Sequence, residues 1–389
     1  MKKNKIFKLD NAIIDFVENH LSIIIIIMTT LLSLAIRVCL LPYKSQDYIH
    51  HLSSWFEFLK NNGGLPGLKN YIGDYNVPYM TIMALLTYFK INSLYLIKAI
   101  SIVFDYILAL SVYKFTMEYF SSNKNKKYYA IMGYIAILFL PTLLLNSSYW
   151  GQCDVIYTTF IVWSLYYLYK NKMFKSFLFL GLAFSFKLQF IFILPIYIIL
   201  YFRKKNFSLL YFFLIPLVDI ILCIPAMIFN RSVIDCLTVY FKQTTTYSNY
   251  LTLNVPNLYT IISGDSYIAK MGILLLICVL VGLFFYIIKN KIKLTNEKIL
   301  LISILSILLC NFFLPYMHER YMFVADILTI LYFICYKRNL FVAITTQLIS
   351  LCSYSLFLFE KSVLPTYFLT FTFLSLIIYI IYDFVKNND

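Results

Sequence analysis

The stretch Ser45-Gln46-Asp47-Tyr48-Ile49-His50-His51 places a carboxylate three and four residues before two imidazoles, with the Trp55 indole close behind. A carboxylate so placed can act as a general base on a hydroxyl. It can equally serve as a first-turn acid or N-cap of a helix beginning near Tyr48. Asp74, in Gly73-Asp74-Tyr75-Asn76, reads either as a second acid of the same loop or as a turn residue ahead of Val77. Two carboxylates bracketing one loop can share a substrate or a metal ion. His318-Glu319-Arg320 follows Pro315 at the boundary of two apolar runs. Its guanidinium fork matches phosphate oxygens and its imidazole can donate or carry a proton; alternatively, Glu319 pairs Arg320 at a solvated helix end. Lys187 interrupts a long apolar run and needs an anion, a carbonyl or a route to water. Trp150-Gly151-Gln152-Cys153-Asp154 offers an indole face and an amide suited to a sugar ring, or else part of an interfacial aromatic belt.

These residues need elements to hold them, and composition sets what the elements are. The 389 residues are 61% hydrophobic and 13% charged, with mean hydropathy +0.78; a soluble domain is about 25% charged. The expectation is one integral membrane domain over 1–389, an all-α polytopic bundle of about 11–13 helices, each span needing roughly 20 apolar residues. The first run, Ser22 to Leu41, contains five consecutive isoleucines, follows Lys2, Lys3, Lys5 and Lys8, and reads as an uncleaved span. Residues 43–94 then form a first outer loop. Its apolar piece Val77 to Phe89 is too short for a span and reads as an interfacial or re-entrant helix.

Further spans are expected at Leu94 to Tyr113, Tyr129 to Leu145, Val155 to Tyr169, Leu209 to Phe229, Met271 to Ile288, Ile299 to Leu314, Met322 to Tyr336, Leu340 to Phe357 and Leu364 to Tyr382. Ser176 to Phe202 is basic at both flanks, so two short helices meeting near Lys187 are expected there. Residues 230–270 form a long outer loop. This layout puts most of the 33 Lys and Arg on the cytoplasmic side, including Lys124, Lys126 and Lys127, as the positive-inside rule requires. The net charge of +15 is therefore topological and calls for no nucleic acid.

Sidedness is the informative outcome. Asp47, His50, His51, Asp74, Asp154, Lys187, His318, Glu319 and Arg320 all fall on the outer side, in separate loops, which points to one site in the outer half of the plasma membrane, with both termini cytoplasmic. Asp105, Asp219 and Asp326 lie inside spans as helix-to-helix contacts, while Asp235 and Asp265 read as turn acids. The eight Cys have no CxxC or metal-type spacing. No P-loop or GxGxxG stands on the cytoplasmic side, so an energy-rich donor should be a membrane lipid rather than a nucleotide.

The ordered segments SQDYIHHLSSW, GDYNVP, WGQCD, FSFKLQF, NVPNLY and LPYMHERYMF resemble the GT-C superfamily of polytopic membrane glycosyltransferases. The similarity is greatest to bacterial mannosyltransferase-like members and more distant to the glucosyltransferases that extend lipid-linked oligosaccharides. It covers Asp47 to about Phe323. It implies a GT-C-like bundle and inverting transfer of a sugar from a polyprenyl-phosphate lipid to a cell-surface glycan, glycolipid or protein. By motif, Asp47 takes the catalytic-base position; His318 and Arg320 take the donor-phosphate position, with Lys187 assisting. Asp74, Trp150, Gln152, Asp154 and Glu319 would contact substrate, and His50 and His51 would line the acceptor side. Asn76-Val77 separates Tyr75 from Pro78 where the family often has Asp-Tyr-Pro-Pro. A divalent cation serves only some members. Two other functions fit the composition: a polysaccharide polymerase acting on lipid-linked repeat units, and a flippase for lipid-linked sugars, which would distribute its charges through a pore on both sides.

Overall fold

Backbone polar groups in hydrocarbon must be satisfied within their own segment, so long apolar runs fold as helices. In the computed structural model, which describes residues 8–246 and 250–386, they do so along nearly the whole chain. Among the described residues, six helices are long and apolar enough to cross a membrane: Asp10–Leu40, Ser93–Tyr119, Ser266–Lys289, Asn296–Phe313, Leu340–Leu358 and Thr366–Lys386. They mark a polytopic, all-α membrane protein. One buried apolar core extends from Tyr48 to Phe384.

Asp154–Tyr169 and Phe323–Tyr336 are shorter unbroken helices, while other apolar runs are bent or divided. Lys126–Leu138 and Pro141–Trp150 meet at 47° instead of forming the single span expected from Tyr129 to Leu145. Pro141 disfavours helical geometry at Leu140, which is extended (φ −63°, ψ 122°). The run expected as one span from Leu209 to Phe229 is divided into Leu209–Phe213, Leu214–Leu222 and Ile224–Ile228. In the basic-flanked run, Met173–Phe186 ends at Lys187, whose backbone is extended (φ −156°, ψ 134°). A 3-10 turn, Leu188–Ile193, then leads into Leu194–Lys204. In the first loop, Val77–Leu86 starts from an Asn76 side-chain cap and has 10 residues. That length is about 15 Å, half of the ~30 Å core, so this helix alone does not cross.

The all-α expectation misses one feature. Strand β1, Thr252–Leu253, pairs in parallel with β2, Met317–His318, in the register Thr252↔Met317 and Leu253↔His318. The Tyr316 amide donates to the Leu251 carbonyl (2.8 Å), and the Glu319 amide to that of Leu253 (2.9 Å). The long 230–270 segment thus holds the His-Glu-Arg turn by its backbone. Asn254, just after β1, and Tyr316, just before β2, are both at positive φ. Buried Asn257 anchors the segment by donating to the Asn311 carbonyl (3.3 Å).

Buried polar groups tie the first helix to its neighbours. Arg37 donates to Asp105 (2.9 Å), and Asp105 also accepts from Ser147 (2.6 Å). Lys98 donates to the carbonyls of Leu41 (3.0 Å) and Tyr43 (2.7 Å), just past the end of the first helix. This fixes the chain four residues before Asp47. Asp219 accepts from Asn76 (2.9 Å) and Asp326 from Ser350 (2.8 Å), both between helices or helix caps.

Candidate active site

A single cavity collects residues from six separated stretches of chain. It is lined by Asp47, His51, Leu52 and Trp55, by Asp74 and Tyr75, by Gln152, by Lys187, by Gln243, and by His318, Arg320 and Tyr321. It contains about 470 Å³ of empty space, part of it open to solvent. Beside it, sharing Gln243 and Tyr321, lies a largely apolar groove with about 1070 Å³ of empty space, walled by Leu188, Ile191, Phe192, Ile273, Leu314 and Met317.

Asp47 does not cap the helix it precedes: its own backbone is helical and its side chain makes no cap hydrogen bond. Its Oδ2 instead accepts from Trp150 Nε1 (2.8 Å) and from Gln152 Nε2. Ser45 braces this arrangement, accepting from the Tyr48 amide (3.2 Å) and donating to the Trp150 carbonyl (2.7 Å). The turn that presents both donors depends on Gly151, a left-handed helix terminus at φ 87°. Asp74 likewise leaves the capping role to Asn76. Its preceding Gly73 is at φ +60°, and a Cβ there would overlap the Trp55 indole. Burial raises the Asp74 pKa above the usual carboxylate range, against the opposing pull of His51 and His318.

The cationic side of the cavity is built on buried acids. Lys187 is ion-paired to Asp154. Arg320 hydrogen-bonds Glu319 (3.1 Å) and lies 3.7 Å from Asp154 and 3.9 Å from Asp47. Burial alone would lower the Arg320 pKa, but Asp47, Tyr75, Glu319 and Asp154 together raise it and keep the guanidinium charged. Burial, then the charge of Arg320, lowers the pKa of His318; Glu319 pulls the other way. Burial would raise Glu319, yet His318 and Arg320 bring its pKa below the ordinary value.

The candidate residues therefore separate into two sets. Asp47, His51, Asp74, Gln152, Lys187, His318 and Arg320 line the cavity. Trp150, Asp154 and Glu319, expected to touch substrate, are at most 1% exposed and stand behind the wall as partners of Asp47, Lys187 and Arg320. His50 is exposed and pairs with Gln46 (3.1 Å), outside the lining. Sequence reading overlooked Tyr75, Tyr321 and Gln243 as lining residues. The two tyrosines adjoin residues already singled out; Gln243, in a polar stretch of the long loop, carries no signal of its own. Among the described residues, no group of three or more His, Cys, Asp or Glu converges as a metal centre would require.

Asp47, with one carboxylate oxygen held and the other without a partner among the described residues, shares the cavity lining with Lys187 and Arg320. That arrangement suits deprotonation of a hydroxyl coupled to departure of an anion. Comparison with protein-family models and with curated proteins found no match to this chain.

Proposed function

We propose that the protein is an inverting glycosyltransferase that takes a sugar from a polyprenyl-phosphate lipid and delivers it to a hydroxyl acceptor at the outer face of the plasma membrane. The observation that carries this reading is the junction of the polar cavity with the apolar groove. A lipid phosphate needs cations and an isoprenoid chain needs apolar walls; Lys187, His318 and Arg320 supply the first within reach of the second.

In this reaction the acceptor oxygen attacks the anomeric carbon from the side of Asp47, whose free oxygen takes the hydroxyl proton. The bond between the anomeric carbon and the phosphate oxygen breaks, and its electron pair leaves with the polyprenyl phosphate. Arg320 and Lys187 stabilise the charge that develops on that oxygen. Backside attack inverts the anomeric configuration.

Charge balance adds a condition. Four carboxylates, Asp47, Asp74, Asp154 and Glu319, face two permanent cations. A phosphate is accommodated when Asp74, already raised by burial, and His318 bind protons as it arrives. No step requires a metal ion, and turnover is expected to persist in EDTA; loss of turnover restored by a divalent cation would replace this source of charge.

The direct test is transfer from defined polyprenyl-phosphate sugars by the purified protein, with the product's anomeric configuration read by NMR. The expected result is an inverted glycoside and free polyprenyl monophosphate. Transfer confined to diphosphate-linked oligosaccharides would replace the proposal with a polymerase.

A further inference from the structure

The Asp47 carboxylate is held asymmetrically. Both of its side-chain hydrogen bonds among the described residues, from the Trp150 indole and the Gln152 amide, end on Oδ2, and the nearest guanidinium nitrogen of Arg320 approaches that same oxygen at 3.9 Å. Oδ1 receives no hydrogen bond from the described residues. The two donors are themselves fixed. Trp150 is fully buried, stacked on Phe357 (ring centroids 4.7 Å apart) and edge-on to Tyr354 (5.3 Å). Asp47 as a carboxylate accepts only from the NH₂ of Gln152, and Tyr75, donating its hydroxyl to Gln152 Oε1 (2.8 Å), holds the amide in that orientation. Tyr75 is in turn packed between Trp55 and Tyr79.

We infer that Trp150, Gln152 and Tyr75 are positioning residues that hold Asp47 by Oδ2 and leave Oδ1 as the only oxygen able to take the acceptor proton. Tyr75 acts at second hand, by fixing the orientation of the Gln152 amide. The inference rests on the glycosyltransferase reading for its kinetic consequence and on geometry alone for the clamp. A purely structural alternative exists: a buried indole N–H needs an acceptor, and Asp47 would then serve Trp150 rather than the reverse.

Kinetics separate the two. A reacting group displaced by about 1 Å loses on the order of 100-fold in rate, and loss confined to the transition state appears in kcat rather than KM. Trp150→Phe and Tyr75→Phe should each lower kcat by about 10- to 100-fold, with donor and acceptor KM changed by less than about twofold. The decisive measurement is the double-mutant cycle. Since Tyr75 works through Gln152, Tyr75→Phe should cost nothing further in a Gln152→Ala background. Losses that multiply independently, or a loss carried by KM, would overturn the positioning role.

A second readout needs no turnover. Ultraviolet resonance Raman spectra of the purified protein report indole N–H hydrogen bonding, and the chain has three tryptophans. The strong-bond component should disappear in Trp150→Phe, and in Asp47→Ala should move to the weak-bond position. An unchanged spectrum in Asp47→Ala would overturn the clamp. A protein that transfers no sugar but shows the shift would retain the clamp and lose the glycosyltransferase reading.

Discussion

Arg320 makes one side-chain hydrogen bond among the described residues, to Glu319, and its ion pairs to Asp154 and Asp47 are longer than hydrogen bonds. Lys cannot reproduce the planar guanidinium fork, so Arg320→Lys should raise the donor KM by about tenfold or more, equivalent to ~1.4 kcal/mol, while the folded yield stays near wild type. On the proposed function, His318 and Asp74 are expected to make donor binding pH-dependent. Phosphate favours their protonated forms, so its arrival raises both pKa values and binding takes up protons; by linkage, affinity rises as pH falls. The His318 contribution sets in at its free-state pKa, already below the ordinary imidazole value, and extends up to the raised pKa of the bound state. Calorimetry in two buffers of different ionisation enthalpy should show net uptake, and net release would contradict the assignment. The charged residues of this site were legible in the sequence because ionisable groups in a membrane chain are few. Which of them touch the cavity was not. Asp154 and Glu319 look like Asp74 on paper, and only packing puts them behind the wall.

The elements that aim these side chains are departures from regular helix. Lys187 reaches the cavity because the chain breaks there, and the basic residues flanking both ends of its run made that break readable. The bend at Leu140 was also available in principle from Pro141, but apolar length obscured it. The pairing of β1 with β2 was out of reach: strands of two residues have no periodicity, and their partners lie far apart in sequence. Asn254 sits at φ 64°, a region a β-branched residue enters only under strain. Asn254→Val should lower thermal stability by ~1–2 kcal/mol and weaken donor binding by loosening the His318 turn, whereas Asn254→Gly should preserve both. Thermal unfolding in detergent and donor titration check this; a Val variant equal to wild type in both would detach the strand pair from the site.

At the scale of the whole molecule, the apolar runs specified a helical membrane protein, and the site-bearing loops do meet at one cavity between them. Hydropathy left the number of straight spans unresolved, because several runs divide into shorter helices. Charge sidedness supplies the orientation: a cysteine introduced beside Lys124–Lys127 should be shielded from impermeant thiol reagents in intact cells in a background lacking exposed Cys39 and Cys278. Labelling from outside would invert the proposed topology. Asp47 is proposed here as the base of a lipid-dependent sugar transfer. Asp47→Asn, purified in detergent and supplied with a polyprenyl-phosphate sugar and acceptor, is predicted to insert and bind donor as the wild type does while forming no detectable product. Turnover close to the wild-type rate would contradict that claim.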